Sequence, residues 1–156
     1  MIRVQREDFD VGAELEKLSA GNPKVGGVCS FVGLVRDVAG DATVGAMTLE
    51  HYPGMTEKQL AKIEAEARER WPLEATLIIH RYGRLEPCDR IVLVAAASAH
   101  RQAAIEACSF LIDWLKTQAP FWKREETDGG TRWVEARESD DAAAARWRTD
   151  PDRAAE

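Results

Sequence analysis

The chain has 156 residues and a formal net charge of −6, with 45% hydrophobic and 31% charged side chains. That length suits one domain with a real core; the acidity argues against a nucleic-acid binder, which carries a basic face; and no run approaches the roughly 18 apolar residues of a membrane span. The first ten residues, MIRVQREDFD, carry charges where a signal peptide has its apolar stretch, so the expectation is a cytoplasmic protein.

The elements alternate between strand and helix periods. IRVQ reads as a short strand, and 10–20 as a helix of about three turns with Asp10 as N-cap and Gly21 as stop. KVGGVCSFVGLVRD (24–37) is β-rich and punctuated by glycine, as in a strand whose backbone something approaches closely. TVGAMTLEHY (43–52) is expected as its hairpin partner across the turn AGDA. Pro53 ends that strand, and 56–71 is a helix opening with Thr56 and Gln59 at capping-box spacing and burying Leu60, Ile63 and Ala67.

ATLIIHRYG and RIVLVAAAS are two β-branched runs separated by the turn-like RLEPCD. A second long helix covers 99–119, its buried face marked by Ala104, Ala107, Leu111, Trp114 or Leu115, and Gln118, and Pro120 ends it. FWKREE, TDGG and TRWVEA form a closing hairpin with Asp128-Gly129 at its turn. From Ser139 the chain is rich in Ala, Asp and Arg without a sustained apolar pattern, so a catalytic domain over 1–138 and a polar, partly helical or frayed tail over 139–156 are expected. Strands that come in pairs with helices between them indicate an α+β domain with a mixed or antiparallel sheet and two long helices, rather than a doubly wound parallel sheet.

Cys29, Cys88 and Cys108 are odd in number, contain no CxxC pair and have no histidine at zinc-site spacing, which argues against disulfides and structural zinc. Each lies among apolar or small neighbours, where a free thiol behaves as a small buried hydrophobe, and none has the electropositive setting of a catalytic thiol.

Candidate chemistry lies at element ends. Lys116 falls in the last turn of the long helix, where a cation is favourable to the dipole whatever else it does. Lys123 follows Pro120 on a strand that turns back beside that helix, so the two ammonium groups can converge on one cavity suited to an anion. The adjacent Phe121 and Trp122 are either core or the wall of a planar-ligand pocket. His100 and Arg101 open the same helix, where exposed N–H groups favour a phosphate; the bland alternative is a capping His and a solvated Arg. A helix of about twenty residues puts its ends about 25 Å apart, so one site using both ends needs two copies of the chain. Arg36, after the glycine-bearing strand, is a third cation suited to phosphate or carboxylate.

FVGLVRD, LEHYPGMTEKQL, EARERWP, IIHRYGRLEPCD, SAHRQAAIEAC and LKTQAPFWKRE occur in that order, and with them the chain resembles the catalytic (large) subunit family of molybdopterin synthase. The resemblance implies a hammerhead-like α+β fold and a homodimer that binds a small ubiquitin-like sulfur-carrier subunit at each end, a heterotetramer overall. It implies sulfur transfer from that partner's C-terminal Gly-Gly thiocarboxylate to cyclic pyranopterin monophosphate, two rounds building the molybdopterin dithiolene of molybdenum cofactor biosynthesis. The family's substrate contacts match Leu34, Val35, Arg36, Lys116, Lys123, Arg124 and Glu125, with His100 and Arg101 from the other subunit. Leu34 departs from the polar or basic residue often found there.

Lys116 and Lys123 are the expected catalytic residues: Lys116 as general acid/base or stabiliser of the tetrahedral intermediate, Lys123 as orienter of tail and substrate, either able to act as a nucleophile. Phe31, Phe121 and Trp122 are candidate walls for the pterin, and Arg137 is a further cation on the closing hairpin. No metal or cofactor is called for, and with sulfur arriving on the partner no cysteine of this chain is needed. Two other readings stay open: a non-catalytic adaptor for a ubiquitin-like tail, and a Schiff-base lysine enzyme acting alone.

Overall fold

The computed structural model describes residues 1–40, 42–134 and 138–148. In chain order the elements are β1 (Ile2–Gln5), α1 (Val11–Ser19), β2 (Gly27–Leu34), β3 (Val38–Ala39), β4 (Ala42–His51), α2 (Met55–Arg70), β5 (Leu73–Arg81), β6 (Gly83–Leu85), β7 (Arg90–Ser98), α3 (Arg101–Thr117), β8 (Phe121–Thr127), β9 (Gly130–Trp133) and α4 (Glu138–Ala145). They form an α+β domain of two sheets. The first has the strand order β1-β5-β7-β2, with β1 parallel to β5 and the other pairs antiparallel; the second runs β3-β4-β8-β9, with β6 pairing β4.

Strand parity builds the core of the first sheet. Along β7, Val92, Val94 and Ala96 face α2 and α3, where they meet Leu60, Ile63, Ala107, Phe110 and Leu111. Leu93 and Ala95 face α1 with Leu77, Ile79 and Phe9. Both faces are therefore covered, which explains why β5 and β7 are almost continuously apolar. Each buried aliphatic side chain contributes about 1.5–3 kcal/mol. A third cluster, Val35, Leu49 and Leu85 with Met47 and Tyr82 against it, joins the two sheets.

Local signals account for the element ends. The Asp10 side chain accepts from the Ala13 N–H at 3.0 Å, and Gly21 follows α1 at φ +69°, a left-handed conformation that costs glycine little. The second helix begins earlier than a cap at Thr56 would place it: Gly54 is the N-cap and its N–H donates to the Glu57 carboxylate at 2.7 Å. Thr56 is buried, and its hydroxyl donates to the Tyr52 carbonyl at 2.8 Å. In α3 the face is Ala104, Ala107, Cys108, Phe110, Leu111 and Leu115, with Gln118 exposed at the C-cap because the stripe ends one turn before it.

Two tertiary choices differ from the sequence expectation. β4 does not pair with β2; it forms its hairpin with β3, while β2 pairs with β7 along its whole length. The chain breaks at Val35–Asp37 and changes sheet, and the turn serves the short strand instead. Gly26 shows the close approach that the glycines of this region suggest: a Cβ there would stand 2.1 Å from the Ala99 carbonyl oxygen.

The segment from Glu138 forms α4, and Trp147 beyond it packs edge-on against Trp71 and Phe110 while its indole N–H donates to Asp113 at 2.6 Å. The cysteines divide by setting: Cys108 is buried, with its thiol pushed up to about 12 by burial and by Cys29 beside it; Cys29 is half-buried; Cys88 is exposed at φ 75°, in a turn rather than a core. Among the described residues no helix is long and apolar enough to cross a membrane.

Candidate active site

Lys116 stands exposed in the last turn of α3, and Lys123 is half-buried two residues into β8. The three residues Gln118–Pro120 turn the chain between them, so both lysines line two adjoining clefts of about 280 and 330 Å³. Arg36 lines both as well, delivered by the segment that leaves β2. A register shift between Gly33 and Leu34 bends the end of that strand toward the cleft. Three cations thus converge: Lys116 and Lys123 from the two sides of one turn, and Arg36 from a segment distant in sequence. Glu125 and Asp140 share the outer cleft, and the Glu125 carboxylate, 5% exposed, pairs with Arg132 at 3.3 Å.

Strand parity on β8 sorts the remaining candidates. Phe121, Lys123 and Glu125 point into the cleft opposite His51, Leu49 and Met47 of β4. Trp122, Arg124 and Glu126 point to the other face. Trp122 is exposed there, and Arg124 lies over the Trp133 ring at 5.8 Å. Trp122 is therefore not a wall of this cleft, and Arg124 reaches no part of it; Phe31 and Phe121 are the aromatic walls.

Leu34 is 52% exposed and lines both clefts. Val35 is a core residue: its side chain packs with Leu49 and Leu85, its N–H donates to the Asp89 carbonyl at 2.9 Å, and its carbonyl accepts from Cys88 at 2.9 Å. It holds its neighbours in place, with both its N–H and its carbonyl engaged by the Cys88–Asp89 turn.

His100 and Arg101 lie elsewhere. They border an open depression with Gly26, Gln102 and Ile105 at the N-terminus of α3, and the 17-residue helix separates them from Lys116 by about 25 Å. One chain does not bring the two clusters together. Arg137 falls outside the described residues.

His80 is the site residue the sequence reading passed over. It ends the apolar run of β5, where a lone histidine reads as core, and it is 6% exposed. Its ring stacks on Phe121 with centroids 3.7 Å apart and planes 16° from parallel, and Nδ1 lies 2.8 Å from the Arg81 carbonyl. Burial foremost, and then the positive charge of Lys123 and Lys116, pushes its pKa down to about 3. The ring is neutral at physiological pH, so the cationic character of the cleft comes from Arg36 and the lysines.

The family model described as MoaE protein matches residues 4–118. The chain is 61% identical over 146 residues to the molybdopterin synthase catalytic subunit of Pseudomonas aeruginosa, covering 94% of this chain and 97% of that one. Among solved structures, the molybdopterin biosynthesis MoaE protein from Burkholderia ambifaria superposes with a TM-score of 0.82 at 55% identity, over 96% of this chain and 99% of that one. Molybdopterin synthase from Staphylococcus aureus does so with a TM-score of 0.79 at 33% identity, over 85% and 96%. Matched along nearly their whole length in sequence and in the hammerhead-like fold, these proteins and this chain belong together, in the MoaE family of molybdopterin synthase catalytic subunits.

Proposed function

We propose that the cleft around Lys116, Lys123 and Arg36 is the sulfur-transfer site of this chain. The chain is a catalytic subunit of the molybdopterin synthase type, a sulfurtransferase of molybdenum cofactor biosynthesis. Its substrate is cyclic pyranopterin monophosphate, and its sulfur donor is the thiocarboxylated Gly-Gly tail of a small ubiquitin-like subunit. The observation that carries the reading is the convergence of three cations from separate elements beside two aromatic walls. That arrangement suits a flat, phosphorylated ligand and a tail whose reacting end is anionic.

The thiocarboxylate sulfur bonds to a side-chain carbon of the pterin as a carbon–oxygen bond of that carbon breaks, the oxygen leaving as water or as the freed end of the opened cyclic phosphate. Water then adds to the thioester carbonyl, and collapse of the tetrahedral intermediate leaves sulfur on the pterin and a carboxylate on the tail. The intermediate's oxyanion is stabilised by Lys116, where a preplaced cation is worth about 10²–10³ in rate. Lys123, with Glu125 behind it, orients the tail; Leu34 contributes apolar contact, and Val35 fixes the approach of Arg36. Arg124, facing away, belongs to the outer surface that the small subunit approaches. His100 and Arg101 complete the phosphate site from the second copy of a homodimer, since their own Lys116 is out of reach. The location is cytoplasmic, where the partner is made.

The test is single-turnover conversion of cyclic pyranopterin monophosphate with a thiocarboxylated small subunit. Wild type is expected to form product, and Lys116→Ala and Lys123→Ala to lose about 10²-fold or more with folding and assembly intact. No product from wild type with a competent partner would overturn the reading in favour of a tail-binding adaptor.

A further inference from the structure

We infer that His80 is a positioning residue of this cleft: its ring face fixes Phe121, its Nδ1–H is tied to the Arg81 carbonyl, and Nε2 is left as an uncharged hydrogen-bond acceptor among cations. The inference rests on the reading of the cleft as the sulfur-transfer site.

A carbonyl oxygen only accepts hydrogen bonds, so the 2.8 Å contact from Arg81 O requires the proton on Nδ1. In the neutral ring Nε2 then carries a lone pair. The charged and titratable groups around the ring are Lys123 and Glu125 on β8, Lys116 on α3, His51 on β4, Arg36 after β2, and Arg81 on its own strand. A second proton on the ring would add positive charge beside Lys116, Lys123 and Arg36, and burial opposes it further. Phenylalanine at this position would supply the flat face without the acceptor; lysine or arginine would supply another cation. Histidine combines a stacking face with a ring-nitrogen acceptor that stays uncharged.

The link to chemistry runs through β8. Phe121 is held between the rings of His80, at 3.7 Å, and His51, at 6.1 Å. Lys123 stands two residues further along the same face, paired with Leu49 of β4. Fixing Phe121 therefore fixes the start of the strand from which Lys123 projects. The Nε2 acceptor orders an ammonium group or a substrate N–H at the cleft floor.

The experiment compares wild type with His80→Phe, which keeps the stacked ring, and His80→Asn, which keeps a donor toward the Arg81 carbonyl. Single-turnover sulfur transfer is read against substrate concentration, alongside imidazole nitrogen NMR of the wild-type protein. Both variants are expected to lose roughly tenfold to a hundredfold in the rate at saturation, as for a catalytic group set slightly out of place. Half-saturation and small-subunit binding stay within about threefold. The wild-type His80 spectrum should show the Nδ1–H tautomer at pH 7, with an Nε2 signal that moves when substrate is added.

A Phe variant within about twofold of wild type in rate overturns the inference. So does a spectrum showing imidazolium or the Nε2–H tautomer, a result that stands even where a variant fails to fold. An inactive wild type is a different failure, that of the functional reading itself.

Discussion

Acid should unfold this protein earlier than its carboxylates require, because of one ring. His80 has an ordinary pKa of 6.5 that the fold pushes down to about 3, burial being the largest cause. Above pH 6.5 the native and unfolded chains both hold the ring neutral. Between 6.5 and 3 the unfolded chain binds a proton that the native one refuses, so the stability present above pH 6.5 is lost progressively as pH falls. Each pH unit well below 6.5 costs about 1.36 kcal/mol, so the fall from pH 6.5 to 4.5 removes roughly 2 kcal/mol, a large share of a domain's usual 5–15 kcal/mol. Asp8, held at about 2 by its hydrogen bond to Arg90, titrates natively below that window.

The assay is urea unfolding at both pH values, at one protein concentration, for wild type and His80→Phe. The wild-type midpoint should fall by roughly 1–2 M more than the variant's, given an m value of about 1–3 kcal/mol/M. Equal falls in the two proteins would refute the reasoning, since the variant carries no proton at that position in either state.

Two further outcomes concern the core. Phe110→Ala empties a fully buried site bordered by Trp71, Trp114 and Trp147 and should cost about 3–5 kcal/mol in chemical denaturation. Gly26→Ala drives a methyl group into the Ala99 carbonyl, so the β7–α3 connection must shift; a loss of about 3 kcal/mol and altered amide signals around Ser98–Arg101 are expected.

Much of the fold was legible because its determinants are local. The β-branched runs of β5 and β7, the cap at Asp10 and the apolar face of α3 all act over a few residues. Non-local choices were not legible. That β2 pairs with β7 while β4 turns to β8 is decided by the sheet change at Val35–Asp37, which no periodicity announces. β3 and β6 are too short for a pattern of their own, and Trp147 finds the core from a segment whose composition looks solvated. The cleft followed the same division. Lys116 and Lys123 were visible from their places around Pro120, and Arg36 from the end of its strand. The orientation of Trp122 and Arg124 depended on which face of β8 meets the cleft, and His80 on which strand end lies beneath it.

The alternation of β8 limits how this segment can vary. Between Thr117 and Phe121 the chain only has to turn, so an extra residue among 118–120 lengthens a bend and leaves the strand in register with β4. One residue gained or lost between Phe121 and Lys123 is another matter. It would carry Trp122 or Arg124 inward and send the cleft lysine to the outer surface, while strand length and composition stayed nearly unchanged. Length changes in the chain should therefore gather at the bend, and this strand should accept substitutions far more readily than insertions.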